Sequence, residues 1–300
     1  MNLIVLRATK LLAPLSAALL LATAFARADE AEIARLLKDK GLTVSETKGV
    51  VTGVAAKEAG KLTDADFQMI GQLAHLKTLD LNDGLTDARL AMLTGLGALE
   101  YLQTNRAQLT DDGCKPLAKL QSLRTVKFFH PGKEFSGAGL VHLADLPHLQ
   151  QLTVAGSLAF NDDGLAAVAQ LTRLQDFRTW HAGGTDEGVK KLKDLPNLKG
   201  LNLGQRLTYK APASPTDETL ALLVELKSLE TLQLSEARLT LSALQKLKQL
   251  PALKKLILDG IELPPADLER LKAELPRVTV EWSAPNDAYR KRIQALFGKE

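Results

Sequence analysis

From residue 62 to about residue 284, two apolar periods alternate along the chain. One has period two. In LKTLDLND (from 76), Leu79 and Leu81 flank Asp80. The same positions recur in LEYLQTNR (99), LRTVKFFH (123), LQQLTVAG (149), LQDFRTWH (174), LKGLNLGQ (198), LETLQLSE (229) and LKKLILDG (253), and VTVEWS (278) closes the series. Such alternation predicts a short strand with one face buried. The other period is helical, as in Leu140, Leu143 and Leu146, and predicts a short amphipathic helix of about two turns.

Each helical block opens on a related phrase: LTDADF (62), LTDARL (85), LTDDGC (109), FSGAGL (135), FNDDGL (160), GTDEGV (184), PTDETL (215), LTLSAL (239) and LPPADL (263). The spacings are 23, 24, 26, 25, 24, 31, 24 and 24 residues. Thr63, Thr86, Thr110, Ser136, Asn161, Thr185, Thr216 and Thr240 stand where a side-chain oxygen caps the helix start, and most are followed by Asp in the first turn, where free amides favour negative charge. A unit of this size, half strand and half helix, cannot bury its own apolar edge and must stack on its neighbours. The expected fold is therefore an α/β solenoid: a curved horseshoe with parallel strands on the concave face and short helices on the convex one.

These phrases resemble leucine-rich repeat proteins, most closely the exported bacterial kind built on L-T-D-x-G-L-x-x-L-x-x-L-x-x-L-x-x-L-x-L. They are also similar to the helical, cysteine-containing subclass, in which a cysteine occupies an inward site. The resemblance covers residues 62–284 in about nine units, three quarters of the chain. It implies a horseshoe that presents a binding surface, and it implies no particular chemistry. The chain departs from the usual pattern in lacking a regular Asn after the strand. Asn105 is near that position in one unit, so a full interior asparagine ladder is not expected.

The two ends read differently. Arg7 and Lys10 precede an apolar run that closes in Ala26-Arg27-Ala28, the marks of a secretory signal peptide over residues 1–28 with cleavage after Ala28. Residues 11–26 are short for a membrane span of about 20 residues, and Pro14 lies within them, so no stable span is expected after cleavage. The expected address is periplasmic or extracellular. Residues 29–61 form an N-terminal cap, with a helix over 30–39 carrying Ile33, Leu36 and Leu37 and two short strands joined near Glu46–Gly49. Residues 285–300 form a C-terminal helix or tail in which Tyr289, Ile293, Leu296 and Phe297 share a face and fold back over the last repeat.

Composition sharpens this picture in three ways. About one residue in five is leucine, which the inward positions of a stacked repeat explain. The formal charge of +3 is carried by Arg7, Lys10 and Arg27; without them 35 basic residues face 35 acidic ones. A neutral mature chain gives no reason to expect nucleic acid or an anionic membrane as partner. Cys114, the single cysteine, stands where other units place Leu90, Leu140 and Leu165 and reads as a buried thiol.

If the fourth and sixth positions of each strand block are buried, the third, fifth and seventh face the concave side. In a chain with only 4% aromatics, Tyr101, Lys127, Phe129, Arg178 and Trp180 on those rows form a candidate contact cluster, since aromatics and Arg anchor protein interfaces. The alternative is that Phe129 and Trp180 tuck against irregular neighbouring turns. The 31-residue unit carries an insert over 205–216 in which Tyr209 and Lys210 are placed to touch a partner. No metal or cofactor is expected. The five histidines lack metal-ligand spacing, the Asp-Asp-Gly triplets lack the remaining ligands of a calcium loop, and neither GxGxxG nor GxxxxGK[ST] occurs. The sequence thus points to a monomeric, non-enzymatic exported scaffold that binds a protein or surface polymer through its concave face. The alternative is a structural envelope or assembly component without a specific ligand.

Overall fold

The computed structural model describes residues 29–204 and 215–298. Helix α1 (Glu30–Asp39) leads into a hairpin of β1 (Thr43–Thr47) and β2 (Val50–Ala56), turned at Lys48 and Gly49, both at positive φ. Nine further strands follow: β3 (Thr78–Leu81), β4 (Tyr101–Asn105), β5 (Thr125–Phe129), β6 (Gln151–Ala155), β7 (Asp176–Trp180), β8 (Gly200–Leu203), β9 (Thr231–Ser235), β10 (Lys255–Asp259) and β11 (Thr279–Ser283). They form one sheet in sequence order, every pair after the hairpin parallel. The result is a curved α/β solenoid of the leucine-rich-repeat horseshoe type.

Register follows the two-residue alternation. Leu79, Leu102, Val126, Leu152, Phe177, Leu201, Leu232 and Leu256 pair in line across the sheet and are all buried. The sixth-position row behind them is buried too, and includes Thr104 and Thr179 among apolar residues. On the convex side the units are less regular than a row of α-helices. Asp112–Lys119 and Ala138–Leu143 are 3-10 turns, while α2 (Asp64–Ile70), α3 (Asp87–Met92), α4 (Asp162–Val168), α5 (Asp186–Val189), α6 (Asp217–Leu223) and α7 (Leu241–Gln245) are short α-helices. Pro116 lies inside the first of these turns, where it can donate no helical hydrogen bond.

The first-turn acids do more than complement a helix dipole. Asp87 accepts from the Thr110 backbone N–H (3.0 Å) and hydroxyl (2.7 Å) in the next unit. Asp162 does the same to Thr185 (2.5 and 2.6 Å), and Asp217 to Thr240 (2.9 and 2.6 Å). Asp111 accepts from Ser136 Oγ (2.6 Å) and from the N–H groups of Gly137 (2.8 Å) and Gly139 (3.1 Å). Each acid therefore ties its unit to the cap of the following one. The glycine of the T-D-x-G phrase makes room for this tie: a Cβ on Gly113 would lie 1.9 Å from Asp87 Oδ1, and one on Gly188 2.4 Å from Asp162 Oδ1.

Beyond α8 (Pro265–Glu274) and β11, helix α9 (Asp287–Phe297) is capped by Asn286, whose Oδ1 accepts from the Tyr289 N–H at 2.9 Å. It folds back along the rim where the strands end. Tyr289 packs on Gly260, whose added Cβ would meet its ring at 2.3 Å. Arg292 reaches Glu236 (2.6 Å) and His181 (3.1 Å), two and four strands before β11.

Candidate functional site on the concave face

The concave surface divides into two polar clusters around an aromatic bridge. In the N-terminal half, Tyr101 on β4 donates from its hydroxyl to Gln103 Oε1 at 2.6 Å, and Gln103 Nε2 donates to both oxygens of Asp80 at 3.1 Å. The Lys127 ammonium lies 5.1 Å from the Tyr101 ring centroid, a cation–π distance. Asn105 Nδ2 donates to Asn82 Oδ1 (3.1 Å), and its own Oδ1 lies 2.9 Å from His130 Nδ1. This short chain replaces the continuous asparagine ladder.

At the centre, Phe129 on β5 and Trp180 on β7 reach across the intervening strand, ring centroids 6.0 Å apart at 50°. Beneath them Ala155 on β6 is only 2% exposed, although its row faces the concave side. Both rings are half-buried. One side of the aromatic pair covers Ala155, and the rest remains open to the concave surface. Trp180 also lies against Gly204, where a Cβ would come within 2.4 Å of its own Cβ.

The C-terminal half holds Arg178, whose Nε and Nη2 donate to the Asp176 carboxylate at 2.6 and 3.3 Å. That carboxylate holds the guanidinium above its ordinary pKa. Past the strand ends, Arg106, His130, His181 and Glu236 occupy one structural position and all have φ near +50°. A left-handed non-glycine residue costs of order 1 kcal/mol, yet it aims these polar side chains along the rim. Glu236 is 5% exposed and is compensated by Arg292.

The structure places Tyr101, Lys127, Phe129, Arg178 and Trp180 on one face, in two groups rather than one. Tyr101 and Lys127 share the first; Phe129, Trp180 and Arg178 belong to the centre and second. Tyr209 and Lys210 lie outside the described residues. Sequence reasoning passed over Asn202, Gly204 and Tyr289, which complete the C-terminal hollow. Gly204 sits in the outward row beside Trp180, and a missing side chain beside the largest one was the available signal.

Cys114 is fully buried, and burial, followed by the Asp111 and Asp87 charges, pushes its thiol far up, so it remains protonated. Among the described residues, no group of three or more His, Cys, Asp and Glu side chains is gathered to hold a metal ion, and no helix is long and apolar enough to cross a membrane.

Stacked units with an open concave sheet define the class, a leucine-rich-repeat-type solenoid. No family model and no curated protein matches the chain. Among solved structures, the internalin C2 of Listeria monocytogenes is similar over 84% of this chain and 92% of its own, at 20% identity and a TM-score of 0.47.

Proposed function

We propose that the protein is an exported, non-enzymatic scaffold that holds a protein or surface polymer along its concave face. The observation that carries this reading is the Phe129–Trp180 pair, half-buried on an outward row and flanked by the cationic side chains of Lys127 and Arg178. An aromatic pair beside Arg, ringed by polar groups, is the composition of interface anchors. The export signal in residues 1–28 supports a partner met outside the cytoplasm.

The test is capture from envelope fractions and culture fluid with the purified protein and its Trp180→Ala and Tyr101→Ala variants. Removing an anchor at the centre costs about 2 kcal/mol or more of binding, roughly a thirtyfold loss of affinity. Capture that is equally strong with both variants, each confirmed to be folded by its melting curve, defeats the reading.

A further inference from the structure

Between the aromatic bridge and α9 lies a hollow of about 340 Å³, near the lower end of the range of about 300–1,000 Å³ typical of small-molecule sites. Its floor is Arg178, Asn202 and Gln233, one residue from each of three adjacent strands, and Trp180 and Tyr289 stand at its sides. Gly204 opens it by contributing no side chain.

The cations around this hollow are already matched, while the Asp259 carboxylate keeps its charge. Arg178 is held by Asp176, Glu236 by Arg292, and Asp259 accepts from Ser283 Oγ at 2.6 Å. What remains for a ligand is the Asp259 carboxylate and a set of neutral, two-sided groups. Asn202 lies on the floor, and its Oδ1, enclosed and without a hydrogen-bond donor, gives the amide reason to turn toward a ligand hydroxyl. The Gln233 amide reaches Ser235 only at 3.5 Å. Burial, then the Glu236 and Asp259 charges, hold the Tyr289 phenol above its ordinary range, so it is a protonated donor at neutral pH.

Groups that offer both donors and acceptors between two aromatic side chains suit a ring carrying several hydroxyls. Each hydroxyl donates and accepts, and the ring's C–H faces lie on aromatic surfaces. An anionic ligand has no unmatched cation here, the Asp259 carboxylate accepts from hydroxyls, and the small volume, bounded at the rim by Tyr289, suits one ring better than a peptide running through. We infer that this hollow is a subsite for a single neutral pyranose ring of a glycan held on the concave face. The assignment rests on the concave-face reading above and gives it a polymer of defined chemistry.

Trp180 and Trp282 are the only tryptophans, so a Trp282→Phe background makes Trp180 emission a direct reporter. Titration with the tetramers of β-1,4-glucose, α-1,4-glucose and β-1,4-N-acetylglucosamine should give saturable change with at least one. Asn202→Leu should then weaken that binding by about tenfold, the loss of one hydrogen bond, while Lys193→Ala on the convex side leaves it unchanged. Flat titrations with all three sugars, or a response indifferent to Asn202→Leu, overturn the subsite and leave a hollow that holds water only. If capture still depends on Tyr101 or Trp180 in that case, the subsite alone has failed. Sugar binding retained while capture ignores both residues has the opposite meaning.

Discussion

Thr104 and Thr179 put a hydroxyl in the buried row where other strands carry Leu81, Phe128, Val154 and Leu234, and neither hydroxyl has a hydrogen-bond partner. Thr179 borders a small space of about 30 Å³, enough for one water molecule. Thr104 borders none of the cavities described above and bears the full cost of an unsatisfied buried group. Thr104→Val keeps the shape and removes that cost, so denaturant unfolding should show a gain of about 1 kcal/mol. A loss of stability would mean that the hydroxyl has a partner in solution. Single residues of this kind were legible only as departures from the leucine pattern; what surrounds them depends on neighbours a full unit away.

At the level of elements, the joint between units is the feature with measurable weight. Asp162 and Asp163 both lie in the first turn of α4, but only Asp162 reaches Thr185. Asp163→Ala should therefore cost a helix-dipole contribution of about 0.3–1 kcal/mol. Asp162→Ala loses two charge-assisted bonds as well and should cost about 2 kcal/mol or more. Equal melting temperatures for the two variants would reduce the joint to a dipole effect. The sequence showed both acids in favourable positions; the partner 23 residues ahead became visible only when the units were stacked.

The N-terminal cap has its own acid dependence. Asp66 is 2% exposed, and that burial opposes its charge. The Thr63 N–H and hydroxyl, together with Lys40 at 3.2 Å, outweigh the penalty and hold the carboxyl below its ordinary value of 3.8. A depressed folded pKa contributes stability that is complete above the unfolded value and lost as pH falls through the folded one. Thermal melts at pH 7 and pH 3 should therefore differ less for Asp66→Asn than for the parent. An unchanged difference would remove Asp66 from the acid response.

Over the whole molecule, the strand register and the concave rows were legible in sequence because a period of two fixes facing without reference to anything distant. The course of α9 was legible in part. Its apolar and aromatic residues suggested a return onto the last repeat, where Tyr289 packs on Gly260; its reach farther along the rim is set by Arg292, which meets residues 56 and 111 positions earlier in the chain. The hollow it helps to bound was hidden for the same reason. Stacked units also predict uneven cohesion, since stability in a solenoid is a sum over neighbours. The unit beginning FSGAGL has Gly137 where others carry the tying acid, and its junction with Asn161 has a backbone bond, Asn161 N–H to Ser136 C=O at 3.2 Å. Native-state hydrogen exchange should separate the amides into two cooperative groups at this junction. A single exchange free energy across it would refute the weak joint.

The tie from Asp to the next cap also gives the array a direction. A Thr-Asp unit offers a cap backward and an acid forward, as a monomer in a growing polymer offers two unlike ends. Such a series can gain or lose whole units internally, because any Thr-Asp unit accepts any other. The forward acid is missing at Gly137, where the cap Ser136 remains, and again at the far end: after Thr240 comes Leu241, and the following unit opens on Pro264 and Pro265 instead of a hydroxyl and an acid. Only at the far end are hydroxyl and acid both lost, and there the series closes as a chain terminator would close it.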